Sequence, residues 1–154
     1  MCTFNHDKPA ASSVTSVCYP GQRKVNVPAV TWGEQNEDKA RSAFVEHSTR
    51  HRFRFSLERA CFVINLDIPY MGASLDGIVN CYCRGRGCLE VKCPYSYKHH
   101  NVTISDSCRD PGFCPSEEQG VFTLRTTHPC YYQVQCQMLV SKTDYCCFFC
   151  MDHS

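Results

Sequence analysis

Long hydrophobic runs are missing from this chain. Stretches such as Cys61–Ile64 and Tyr145–Cys150 fall far short of the ~20 apolar residues that span a bilayer, so no membrane association is expected. An excess of one charge is missing too: 16 Lys plus Arg stand against 15 Asp plus Glu, a formal net charge of +1. With neither a polybasic arm nor an acidic tail, charge alone names no partner. The opening residues never build the apolar core of a secretory signal, because His6, Asp7 and Lys8 interrupt them early. Internal repeats and low-complexity tracts are also lacking.

What the chain has in abundance is cysteine, 14 in 154 residues. In a short secreted chain that density marks a disulfide scaffold. Without an export signal, and with 43% hydrophobic residues to build a core, the cysteines read instead as small buried residues or free thiols. A reducing, intracellular compartment is expected, with nucleus and cytoplasm equally open.

Residues 1–30 are rich in Ser and Pro, with Pro9, Pro20-Gly21 and Pro28 breaking any period, and predict a flexible arm ahead of one domain over 31–154. Thr31 to Glu46 reads as a helix with Thr31 as N-cap and acids in its first turns. Phe53–Leu66 and Met71–Tyr82 predict two strands. After the Gly-spaced turn Arg84–Gly87, Cys88–Cys93 alternates strictly until Pro94 and predicts a third strand of an antiparallel meander. Residues 101–126 show no period and predict a long loop. Thr127 and Pro129 open a second helix through Val140, and a final strand covers Tyr145–Met151. This order predicts a single α/β (α+β) domain.

In the strand 88–93, Leu89, Val91 and Cys93 share one face, with Glu90 and Lys92 on the other. Taken alone, a Glu-x-Lys pair reads as a solvated strand face. It gains weight from Asp76, in Ser74-Leu75-Asp76-Gly77, which a hairpin through Arg84–Gly87 brings close. Two converging carboxylates repel unless a cation lies between them, and hard oxygen donors suit Mg²⁺ or Mn²⁺. An aspartate before glycine is equally an ordinary turn residue. On the first helix Gly33, Glu37, Ala40 and Phe44 form a stripe that aims Glu37 at the core, where an acid needs a partner. Gln133 lies on a helix apolar on two sides, so its amide is expected to be buried and to need partners, whether structural or at a site.

Trp32-Gly33-Glu34-Gln35-Asn36-Glu37 with Ala40-Arg41, then Ser74–Gly77, then Leu89-Glu90-Val91-Lys92-Cys93-Pro94, then Tyr132-Gln133-Val134-Gln135, together resemble the YqaJ-type viral recombinase domain, the phage lambda exonuclease branch of the PD-(D/E)XK nucleases. The four motifs occur in order over about residues 31–150. The resemblance implies a restriction-endonuclease-like core, a central mixed sheet flanked by helices. It further implies a Mg²⁺-dependent DNA exonuclease acting in recombination or viral DNA processing, with Mn²⁺ able to substitute. Asp76, Glu90, Glu37 and the Val91 carbonyl would hold two metals that stabilise the attacking and leaving oxygens. Lys92 would position or activate the attacking water, and Gln133 would orient the group. DNA, as linear duplex ends, is the implied partner, with a homo-oligomer or a recombination protein as further partners. Arg41, Arg84, Arg86 and Lys98 are candidate phosphate contacts.

Leu75 stands where the family usually has Pro. Relatives extend further at both ends, so elements that grip a 5′-phosphate or thread the duplex are not expected within this chain. An endonuclease with the same site, or a non-catalytic DNA-binding module derived from it, are the competing readings. Zinc on Cys81, Cys83, Cys88 and Cys93 is not expected, since the spacing is not a pair of C-x2-C units. An iron–sulfur cluster on Cys18, Cys146, Cys147 and Cys150 lacks the expected cysteine spacing.

Overall fold

The computed structural model describes residues 27–95 and 103–151. The rest of the expected arm, Lys98 and the end of the chain lie outside the described residues. The first helix, α1 (Pro28–His51), begins earlier than predicted. Pro28 takes the first helical position, where its missing N–H costs nothing and its fixed φ suits the helix. Val27, not Thr31, is the capping residue, and Arg50 and His51 complement the dipole in the last turn.

The two long predicted strands prove to be four short ones: β1 (Ser56–Glu58), β2 (Phe62–Ile64), β3 (Gly72–Ser74) and β4 (Gly77–Cys81). β2 and β3 leave the main sheet as an antiparallel hairpin of their own. The next strand, β5 (Gly85–Lys92), starts inside the segment predicted as a turn. It is antiparallel to β4, which is antiparallel to β1. The last strand, β8 (Cys146–Cys150), lies parallel to β5, giving a mixed sheet in the order β1-β4-β5-β8.

The predicted loop 101–126 is ordered over much of its length. It holds a short helix, α2 (Ile104–Ser107), and a hairpin of β6 (Pro115–Glu118) and β7 (Val121–Leu124). Gln119 and Gly120 make its two-residue turn with φ of 52° and 77°. Such turns match the twist of the flanking strands, and glycine adopts positive φ without a Cβ clash. Gln-Gly is a weaker signal than Asn-Gly, which is why periodicity did not reveal it. The last helix, α3 (Pro129–Ser141), follows.

Both faces of the sheet are covered. Ala40 and Phe44 of α1 pack on Val79, Leu89 and Val91, while Val140 of α3 packs with Leu75, Ile78 and Cys88 on the opposite face. The alternation along β5 is therefore the one predicted: Leu89 and Val91 face α1, and Glu90 faces α3. Cys81, Cys88, Cys108 and Cys130 are buried, in keeping with cysteine as a small apolar side chain. Among the described residues, no helix is long and apolar enough to cross a membrane.

Leu89 is fully buried between α1 and the sheet. Leu89→Ala should lower the unfolding free energy by about 2–5 kcal/mol, read from urea denaturation. A loss below about 1 kcal/mol would show that this contact is not the centre of the core.

Candidate active site

Five side chains separated by up to 96 positions in the chain, Glu37, Asp76, Glu90, Lys92 and Gln133, line one cavity of about 330 Å³, together with Val91. Each arrives from a different constraint. Asp76 sits between β3 and β4, where its own N–H donates to the Leu89 carbonyl at 3.2 Å and its Oδ2 accepts from the Val91 N–H at 2.7 Å. Gly77 allows this close crossing: a Cβ there would come within 2.6 Å of the Leu57 side chain.

Glu90 projects from the centre of β5 toward α3 and is 3% exposed. Its carboxylate is held from three sides. Gln133 Nε2 donates to Oε1 at 2.7 Å, Gln137 Nε2 donates to Oε2 at 2.6 Å, and Lys92 Nζ lies 2.5 Å from Oε1. Lys92 also donates to Gln133 Oε1 at 3.2 Å. A buried carboxylate with this many donors satisfies its lone pairs without water.

Two of these placements correct the sequence reading. Gln133 is exposed at the mouth of the cavity, and the buried amide is Gln137, which sequence reasoning missed. Gln137 is fully buried and also donates to the Ser74 carbonyl at 2.8 Å, so one side chain ties α3 to both Glu90 and the Asp76 turn. The signal that would have found it is the i, i+4 spacing of two glutamines on one helix. Glu37 does not point into the core. The buried stripe of α1 is Asn36, Ala40, Phe44 and Ser48, a strict four-residue row that leaves Glu37 on its flank, at the cavity rim, paired with Arg41.

Burial raises the Asp76 carboxyl, the Val91 N–H partly offsets this, and the neighbouring Glu90 and Glu37 raise it further, to about 6. For Lys92, burial pulls downward, but the hydrogen bond and charge of Glu90 outweigh it and hold the ammonium above its ordinary value. The cavity thus gathers three acids, with excess negative charge at Asp76, beside a lysine that stays protonated. That is a donor set of hard oxygens into which a divalent cation fits.

The candidate phosphate contacts divide. Arg41 is engaged by Glu37 and Asp38, Arg86 donates to the Ser141 carbonyl at 2.7 Å, and Arg84 is exposed. The four cysteines weighed for zinc are split between the faces of the sheet, with Cys88 packed toward α3 and Cys93 toward α1.

The profile of the YqaJ-like viral recombinase domain family matches residues 1–146. The fold is similar to that of an alkaline exonuclease, LHK-Exo, from Laribacter hongkongensis, with 21% identity and a TM-score of 0.54 over 82% of this chain and 52% of that one. It is also similar to LHK-Exo in complex with dAMP, with 20% identity and a TM-score of 0.58 over 96% of this chain and 64% of that one. This chain therefore spans between about half and two thirds of the length of those structures. No curated protein sequence matches it.

Two measurements test this geometry. Because the folded Asp76 carboxyl titrates above its ordinary 3.8, ionised Asp76 opposes folding when no divalent ion is added. That cost is absent near pH 4 and grows as pH rises through about 6. Asp76→Asn should raise the Tm at pH 8 by about 2–4 °C, after allowing for solvent screening at a partly exposed group, with the gain closing near pH 4. A gain equal at both pH values would refute the charge argument. Second, Gln137→Leu leaves Glu90 Oε2 and the Ser74 carbonyl without their donor and should cost about 1–3 kcal/mol. Gln133→Leu, at the exposed mouth, should cost less, and the reverse order in denaturant titrations would show that Gln137 is not the main support of Glu90.

Proposed function

The chain belongs to the YqaJ-like viral recombinase domain family, and from that premise we propose that it is a divalent-metal-dependent deoxyribonuclease that hydrolyses DNA from the ends of linear duplexes. A single nuclease unit begins at α1 in this reading. The observation that carries it is the convergence of Glu37, Asp76, Glu90, Lys92 and Gln133 on one cavity.

Asp76 and Glu90, with Glu37 from the opposite wall and the Val91 carbonyl, would hold Mg²⁺ or Mn²⁺. The bound ion supplies concentrated positive charge for a phosphodiester in its transition state. The residues of the chain do the rest. The Val91 N–H fixes one oxygen of Asp76 and leaves the other to face the cavity. Gln133 and Gln137 fix both oxygens of Glu90, so the carboxylate does not reorganise when charge develops beside it. Lys92, kept as an ammonium by Glu90, is suited to hold the attacking water or a phosphate oxygen in place and to offset negative charge. In that protonation state it is a donor and a charge, not a general base. The amide of Gln133 bridges Lys92 and Glu90 and sets the orientation of both.

The experiment is digestion of 5′-phosphorylated linear duplex DNA and of a closed circle, with Mg²⁺ and separately with Mn²⁺. Loss of the linear DNA alone is expected, with Lys92→Ala and Glu90→Gln each slowing it by roughly 100-fold or more. Cutting of the circle would replace end-dependent cleavage with an endonuclease. Folded protein that degrades neither substrate with either ion would overturn the proposal.

A further inference from the structure

Next to the cavity just described, and sharing Lys92 and Cys93 with it, lies a second cavity of about 290 Å³ whose lining includes Cys114, His128 and Cys150. Cys114 immediately precedes β6, His128 caps α3, and Cys130 lies in the first turn of that helix. The β6–β7 hairpin folds the chain back so that these three meet, with the Arg125 N–H donating to the Cys114 carbonyl at 3.0 Å. Their ligand atoms all lie within 4.8 Å of one another, the one such Cys, His, Asp or Glu cluster among the described residues. We propose that Cys114, His128 and Cys130, completed by Cys150, form a structural zinc site that fastens the β6–β7 hairpin to the first turn of α3.

Two features of the geometry support this. Cys114 Sγ lies 2.7 Å from Cys130 Sγ and 3.9 Å from His128 Nε2. Two thiols do not rest that close, so the sulfurs must either bond to each other or part around a shared ion. Tetrahedral zinc, with Zn–S near 2.3 Å, separates two sulfur ligands by about 3.7 Å, a movement of about 1 Å. A disulfide would use the two sulfurs alone, whereas zinc also takes up the imidazole nitrogen that lies beside them. Two or three thiolates plus one imidazole are the donor set that selects zinc over the hard ions suited to the neighbouring carboxylates.

His128 Nδ1 accepts from the Cys130 N–H at 3.1 Å, which places the proton of the neutral ring on Nε2. Zinc binding at Nε2 releases the thiol protons of the cysteine ligands and moves the ring proton to Nδ1, which gives up its bond from Cys130. Coordination then replaces that bond as the anchor of the turn. The sequence hides the site because its ligands are spread over a hairpin, a helix start and a distant strand end, with no C-x2-C unit. Its effect on the nuclease cavity is indirect, since Gln133 lies one helical turn beyond Cys130. The zinc assignment stands whether or not the chain cleaves DNA.

The test is the metal content of the full chain, purified without chelator under reducing conditions. About one zinc per chain is expected, and Cys114→Ser with Cys130→Ser should lower this to below about a tenth, whereas Cys61→Ser should not. Should the double variant fail to fold, wild-type protein still decides. Cobalt exchanged for zinc should give the intense visible bands of a tetrahedral thiolate site, and zinc should protect Cys114 and Cys130, but not Cys61, from alkylation followed by mass spectrometry. Absence of zinc and of cobalt bands, a Cys114–Cys130 disulfide in the purified protein, iron in place of zinc, or zinc retained by the folded double variant would each overturn it.

Discussion

The carboxylate of Glu90 is the constraint around which the rest of the site is arranged. It leaves water on the central strand of the sheet, where an unpaired charge would cost several kcal/mol. Satisfying it requires donors from α3, which supplies Gln133 and Gln137, and an ammonium from two residues along the same strand. Those donors in turn fix how α3 lies on the sheet, because Gln137 also reaches the Ser74 carbonyl. The turn that carries Asp76 is thereby tied to the same helix. Packing of Val140 against Leu75, Ile78 and Cys88 supplies the apolar contact, and the glutamines supply its register.

The sheet divides labour between its faces. The α1 face is apolar, with Ala40, Phe44, Leu89 and Val91 forming a core that needs no polar partner. The α3 face mixes apolar contacts with the buried acid, so specificity of packing there rests on hydrogen bonds. This division lets one strand serve both the apolar core and the acidic cavity, since period-two geometry keeps Leu89 and Val91 away from Glu90 and Lys92. The parallel pairing of β8 with β5 completes the mixed sheet and brings Cys150 level with Lys92, which is how the last strand comes to border the second cavity.

Charge in the acidic cavity is only partly compensated. Lys92 answers Glu90, and Arg41 answers Glu37, but among the described residues Asp76 has only the Val91 N–H as a hydrogen-bond donor and is pushed upward by burial and by the other two acids. Sites that bind cations carry this kind of unrelieved repulsion, because the ion supplies the missing positive charge. The cysteine cluster a few residues away follows the opposite chemistry. Soft sulfur donors and hard oxygen donors are kept apart, with Lys92 and Cys93 between them.

The sequence by itself determined the features set by local backbone geometry. The alternation of Cys88–Cys93 placed Glu90 and Lys92 on the face opposite Leu89 and Val91. Pro129 marked the start of α3, and the order of the four motifs identified the family and its α/β core. Tertiary structure decided whatever depended on which surfaces meet. The two possible stripes of α1 share Ala40 and Phe44 and differ by a single position, Glu37 against Asn36, a choice settled only by packing on β5, so Glu37 moved from the expected core to the rim. Gln137, one turn beyond Gln133, is an ordinary helix residue until Glu90 is buried beneath it. The β6–β7 hairpin has no strong turn signal and forms a sheet only with itself, yet it carries Cys114 to His128 and Cys130. Side chains brought together from distant positions leave no period in the sequence, because their partners are chosen by the fold and not by their neighbours along the chain.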